Sequence, residues 1–443
     1  MPSGEWRLRT YDAKIYGTAS SSDMLAGKWY EIGTSSDFRQ CECPSFYPLP
    51  NPTPGTEKMY HELQSNGELP THVHKTSCGG DWWQMGTYAP GAPKVLSNFT
   101  ATKGWEDLFV QRCIDFGKFY ASKDNLYPTL EGGDRRINWG WAMVKPGSTQ
   151  TLPREITFNA AARQLQQYPI QELESLRESS VCSQQNVSLT KGKGISLGIE
   201  ESIALTSEMV ATFVLPTEAA TFGVTLGPSG GSPPTPAQVT TYMEKTDLPG
   251  DDYSVTHMPI GTNNAKVCEA NCNDDDKCMA WTYVVRGSPA GSGDCCLKSS
   301  VPCPSTSGGA SAHCTSGAKK QQVLPSCGKG ASGIDCTVAW EGRGNSSVPF
   351  IDVPVACGTV KDTLRVLSSE KTVTVHIFAD VTFQEVYFQQ GRTAMTVNNI
   401  MSKDDDYMLT STTEMTVQEV EVWPIGSPWI DEEAVRKAPR VYK

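Results

Sequence analysis

The sequence predicts an all-β protein with a small cysteine-rich insertion, and three observations carry that expectation. Short segments rich in Trp, Tyr, Phe and Val alternate with Gly, Pro, Asn and Asp clusters over residues 1 to about 175, as in Asp81–Tyr88 and Ile137–Val144. Alternation of apolar and polar positions marks Met209–Leu215, Thr372–Asp380 and Phe383–Phe388, the pattern of strands with one buried face. Ten of the 15 cysteines fall from Cys268 to Cys357. Short strands with regular turn signals fit a sandwich, a barrel or a propeller, and periodicity does not choose among them.

The elements follow in order. Leu152–Ile156 and Leu165–Arg177 close the first strand-rich region. Residues from about 195 to 228 return to alternation. Gly227–Pro236, GPSGGSPPTP, has no means of burying a core and reads as a linker. The cysteine cluster comes next, and beyond it the alternating runs resume, break at Gly391 and end with Val417–Trp423. The cysteine-rich segment is thus an insertion between strand-rich stretches.

At 443 residues, with one domain per roughly 150 residues as a guide, the chain holds two or three domains. Its 38 basic and 49 acidic residues leave a net charge of -11, which argues against nucleic acid and anionic membranes as partners and is compatible with a neutral ligand such as a sugar. No apolar run reaches the roughly 20 residues that span a bilayer. The opening MPSGEWRLRTYDAK lacks the apolar stretch of a signal peptide. Cysteine density nevertheless points to an oxidising compartment. The acceptor triplets Asn98-Phe99-Thr100, Asn186-Val187-Ser188 and Asn345-Ser346-Ser347 agree with it. The expected destination is extracellular or vacuolar, with a leader upstream of the sequence given.

Candidate chemistry begins at Glu42, in the strand-like run Arg39–Pro48. A general acid needs its pKa raised, and Phe46 and Tyr47 offer apolar surroundings, although a lone Glu in a strand is most often a solvated side chain. Asp115 and Lys118, opposite charges three residues apart, either face one cavity or form a surface pair. Arg135 and Arg136 suit two-pronged contacts to carboxylates, and Trp139 and Trp141 suit core packing better than sugar stacking. Cys41-x-Cys43 with His72-x-His74 could form a metal set, but strand alternation explains the spacing, and no paired CxxC knuckles occur. Neither a metal nor a cofactor is expected.

Glu42-Cys43-Pro44 with Phe46-Tyr47-Pro48, Asp115-Phe116-Gly117-Lys118-Phe119-Tyr120-Ala121-Ser122, and Asp134-Arg135-Arg136-Ile137-Asn138-Trp139-Gly140-Trp141 together resemble glycoside hydrolase family 32, the invertases and fructan hydrolases. The resemblance covers about residues 5 to 225 and 345 to 425. It implies a partial five-bladed β-propeller, left through a short helix at Leu165–Arg177, followed by a β-sandwich. Residues 1–177 would be the C-terminal part of the propeller, 178–246 the linker helix and first part of the sandwich, 247–320 the insertion, and 321–443 the remaining sandwich. It further implies Glu42 as general acid/base, Asp115 and Lys118 as substrate-binding groups, and Arg135, Arg136 and Trp139 in support. The implied reaction is retaining hydrolysis of β-fructofuranosyl bonds in sucrose or fructans.

Relatives carry their nucleophile in a Trp-Met-Asn-Asp-Pro-Asn-Gly-like segment, and a stabilising aspartate in an Arg-Asp-Pro triplet, both N-terminal to the acid. Neither occurs in these 443 residues. The chain is therefore expected to be an N-terminally shortened form, inactive as it stands. Cys41 occupies a position where relatives usually carry tryptophan. Cys268-x3-Cys272-x5-Cys278, followed by Cys295-Cys296 and Cys303, resembles a PAN/apple-type module, a disulfide-stapled fold that binds proteins or carbohydrate. The competing expectation is a noncatalytic carbohydrate-binding or adhesion protein built on the same fold.

Overall fold

The structure, a computed structural model, describes residues 6–9, 14–18, 20–34, 42–77, 79–89, 98–101, 112–129, 133–145, 147–200, 202–228, 237–248, 252–259, 264–285, 293–299, 301–302, 311–320, 322–324, 334–342, 349–399, 401–429 and 431–437. Most of the linker stretch, together with Cys41, Cys303 and Asn345, lies outside the described residues. The chain divides into two compact units, residues 1–229 with 336–443, and residues 230–335.

The first unit opens with antiparallel sheets that form a partial propeller. Trp6–Arg9, Lys14–Thr18 and Tyr30–Thr34 make a three-stranded sheet. Glu42–Pro48, His72–Ser77, Asp81–Ala89 and Asn98–Ala101 make the next, with Arg112–Cys113 added beside Asp81–Ala89. Phe119–Pro128, Asp134–Ala142, Thr149–Gln150, Arg154–Asn159 and Gln164–Pro169 make the third. Tyr47, Val73, Trp83, Phe119, Ile156 and Phe158 come together in one buried cluster. Helix Glu57–Ser65 is an addition that strand periodicity did not signal, and it lays Tyr60 and Leu63 on that cluster. The exit, expected as a short helix, is the 3-10 helix Gln171–Leu176.

Two six-stranded antiparallel sheets form the sandwich. One runs Cys182–Leu189, Met415–Pro424, Ser207–Val214, Thr372–Asp380, Phe383–Phe388, Thr393–Asn398. The other runs Ile195–Ser196, Asp405–Ser411, Ala220–Pro228, Ile334–Trp340, Phe350–Cys357, Val360–Leu367. Alternation does here what it should: Met209, Ala211 and Phe213 are fully buried. Phe213 meets Phe222 of the opposite sheet with ring centroids 5.1 Å apart. Cys336 and Cys357 face each other across neighbouring strands and are bonded.

The propeller and sandwich segments interlock by charge as well as by shape. Arg154 is buried and donates to Asp115 at 3.0 Å, to Glu385 at 2.6 Å and to Thr396 at 2.9 Å. Gly117 lies so close to Thr396 that a Cβ there would fall 1.9 Å from its carbonyl oxygen, so only glycine fits.

In the second unit, a five-stranded sheet is crossed by helix Asn264–Asp274. The helix buries Ala265, Cys268 and Cys272 against Trp281 and Tyr283. Disulfides Cys268–Cys295 and Cys272–Cys278 staple helix to sheet and to the following turn, a way to stabilise a segment whose own core is small. Among the described residues no helix is long and apolar enough to cross a membrane.

Candidate active site

Glu42 begins a strand whose pairing with His72–Ser77 slips between Glu42 and Ser45. Pro44 cannot donate to the ladder, and Cys43 adopts φ +45°, so the chain bulges. A bulge re-aims the side chain beside it. Glu42 is exposed, and its Oε2 accepts a hydrogen bond from Tyr120 Oη at 3.2 Å. Thr76 Oγ1 anchors the Glu42 carbonyl at 3.1 Å.

Beneath this carboxylate sits a buried ion pair. Lys75 Nζ lies 2.9 Å from Asp81 Oδ2, and it donates to the carbonyls of Ser122 at 2.6 Å and Cys43 at 3.4 Å. Asp81 Oδ2 also accepts the Ser122 N–H at 2.7 Å. The pair thus ties the bulge that carries Glu42 to the strand that carries Tyr120. Burial pushes the Lys75 pKa down, opposed by Asp81. The Tyr120 phenol is held above its ordinary pKa by burial and then by its bond to Glu42.

Beside Tyr120 the strand bulges again, with Ala121 at φ +48° and a register shift between Trp139 and Trp141. A groove of about 680 Å³ opens here, lined by Lys123, Asp124, Tyr127, Trp139, Trp141 and Gln150 among others. Lys123 Nζ donates to the Pro44 carbonyl at 3.3 Å, which puts the groove next to the Glu42 bulge. Trp139 is half-buried, in edge contact with Tyr127 at 5.4 Å. Trp141 is 47% exposed. Core packing, expected of this tryptophan pair, gives way to groove lining: both rings border the groove, Trp139 half-buried and Trp141 exposed. Gly140 between them stands where a Cβ would come within 2.1 Å of the Phe119 ring.

The other expected residues separate. Arg136 pairs with Asp124 and stacks over Tyr47 at 4.0 Å, tying the groove wall to the Glu42 strand. Arg135 reaches the other way, donating to Glu172 at 3.0 Å and lowering that carboxyl's pKa. Lys118 is exposed. Asp115 is a correction: its side chain is fully buried, and its oxygens accept from Gly117 N–H at 2.8 Å, Thr396 N–H at 2.9 Å, Thr396 Oγ1 at 2.8 Å and Arg154 at 3.0 Å. With every oxygen engaged inside the fold, it has no edge to offer a sugar.

His72 and His74 join an aromatic cluster on Phe46, at 5.1 Å and 6.2 Å between ring centroids. Among the described residues no group of His, Cys, Asp and Glu is placed to hold a metal ion. Sequence reasoning passed over Lys75 and Asp81. No spacing marks them, since they meet across adjacent strands.

These features define a class: an all-β propeller-and-sandwich protein that presents one solvent-facing carboxylate beside an aromatic groove. Known proteins narrow it. Residues 246–298 match the PAN domain family. The β-fructofuranosidase, insoluble isoenzyme 1, of Daucus carota is 29% identical over 237 residues, 48% of this chain and 37% of the relative. The cell wall β-fructofuranosidase of Pisum sativum is 34% identical over 184 residues, 38% of this chain and 31% of the relative. The chain thus spans about a third of the length of these relatives. In solved structures, fructan 1-exohydrolase IIa of Cichorium intybus superposes with a TM-score of 0.51 at 18% identity, covering 96% of this chain and 70% of that one. An exo-inulinase of Aspergillus awamori gives 0.51 at 14% identity, covering 95% and 63%. The chain therefore resembles the β-fructofuranosidases and fructan exohydrolases of glycoside hydrolase family 32, with a segment that matches the PAN domain family.

Proposed function

We propose that this chain supplies the acid/base side of a retaining glycosidase acting on β-fructofuranosyl bonds of sucrose or fructans. The observation that carries the reading is Glu42 itself, turned outward by a proline bulge and hydrogen-bonded by Tyr120 beside an aromatic groove. In this reading Glu42 protonates the leaving oxygen and then activates water, while a second carboxylate, absent from the motifs of these 443 residues, attacks the anomeric carbon. Lys118 contacts the sugar, Arg136 and Trp139 support the groove wall, and Arg135 steadies the propeller exit. Trp139 and Trp141 offer flat apolar faces to a pyranose or furanose ring. The three described disulfides and the cell-wall relative fit action outside the cell. The PAN domain adds a surface for a protein or glycan ligand.

The test uses the protein produced from its native transcript, assayed for fructose release from sucrose and 1-kestose. Hydrolysis that falls by about 10²–10⁴-fold in Glu42→Gln, with folding unchanged, is the expected result. Binding of 1-kestose without hydrolysis by the wild type would replace this reading with the noncatalytic one.

A further inference from the structure

Strand Cys182–Leu189 carries a motif that the proposed reaction leaves unused. It forms one rim of its six-stranded sheet, paired on one side with Met415–Pro424 and, among the described strands, with nothing on the other. An unpaired strand edge is a template for another chain, ordinarily blunted by lysine, proline, a bulge or a cover. Cys-Ser-Gln-Gln-Asn-Val-Ser-Leu has neither lysine nor proline, and a run of uncharged amides lends itself to cross-strand stacking.

What the strand does have is a kink. Gln185 pairs with Glu419 and Val187 with Val417, while Asn186 drops out of the ladder between them. It sits at φ +53°, in the left-handed region that asparagine tolerates better than most residues. Residues 183 to 186 and Ser188 are exposed. The kink thus offers solvent an Asn-x-Ser acceptor on the unpaired rim. Of the other two acceptor triplets, one has Phe99 buried against Phe46 and His74, and the one at Asn345 lies outside the described residues.

We propose that Asn186 is a site of N-glycosylation and that its glycan guards this sheet edge. The donor is an oligosaccharide carried on a lipid pyrophosphate. The Asn186 amide nitrogen bonds to the anomeric carbon and gives up one proton, the anomeric C–O bond breaks, and the lipid pyrophosphate leaves with the electron pair. The disulfides place the chain in the oxidising compartment where that donor is available. The inference does not depend on the fructosidase reading.

The experiment secretes the full chain from a eukaryotic host and maps peptides by mass spectrometry after enzymatic glycan release, which converts a modified Asn to Asp. The expected result is Asp at position 186, with loss of that conversion and of one electrophoretic step in Ser188→Ala but not in Ser188→Thr. Ser188→Ala is preferred to Asn186→Gln because it keeps asparagine at the left-handed position. Light scattering should show the deglycosylated protein, and the Ser188→Ala variant where it is secreted, self-associating at concentrations where the glycosylated protein stays monomeric. Unmodified Asn186 in the secreted protein overturns the site. Modified Asn186 whose enzymatic removal leaves the native protein monomeric overturns the guarding role.

Discussion

Replacing Arg154 with methionine strands two carboxylates inside the protein. Asp115 and Glu385 have side chains 0% and 1% exposed, and Arg154 is their shared cation. Removing one partner of such a buried pair costs about 3–5 kcal/mol, because the remaining charge is neither hydrated nor compensated. Some compensation survives here: Glu385 keeps the Leu152 N–H at 2.6 Å and the Tyr387 hydroxyl at 2.7 Å, while Asp115 keeps Gly117 and Thr396. The lower end, about 3 kcal/mol, is therefore expected for Arg154→Met. Arg154→Lys retains charge but loses the fork that spans both acids, and should cost about half as much. Urea titration followed by tryptophan fluorescence reads the difference, and with a slope of about 3 kcal/mol per molar the midpoint should fall by about 1 M. A methionine variant as stable as the wild type, or a lysine variant no better than methionine, would refute the view that ion pairing holds propeller to sandwich.

Other outcomes follow from the same contacts. Gly140→Ala forces a methyl into the Phe119 ring and should destabilise by about 1–3 kcal/mol, measured as a shift in Tm. Burial lowers the His72 pKa to about 4. Since the folded value lies below the unfolded value of about 6.5, its contribution is complete above about pH 6.5 and is lost as pH falls toward about 4. Thermal melts across that window should show stability declining on acidification, and His72→Gln should flatten the decline; an unchanged slope would rule out this histidine as a source. Burial also depresses His376, with Glu208 opposing it, so part of the slope should survive in the His72 variant.

How far the sequence reaches depends on whether a feature is local. Strand Ile334–Trp340 buries every other residue, and Ser207–Val214 does so from Met209 onward, since period-two alternation is written residue by residue. Helix Glu57–Ser65 escaped notice because it lies on the surface with no residue fully buried, so its apolar stripe is thin. At the site, the bulge at Glu42 was foreshadowed by Pro44, and Gly117 and Gly140 stood in the segments that carried the resemblance. Asp115 misled, because a charge in a recognisable segment looks the same whether it faces a cavity or a buried arginine.

The sequence by itself determined the strand-rich class and the disulfide-stapled insertion, both properties of contiguous residues whose period, spacing or composition is legible in one dimension. Only the tertiary structure decided which charges meet. Lys75 with Asp81 and Arg154 with Asp115 and Glu385 join segments that are neighbours in space, and Arg154 and Glu385 are separated by 231 positions in the chain. Burial makes such pairs energetically decisive, and burial is a property of the folded packing that no local pattern encodes.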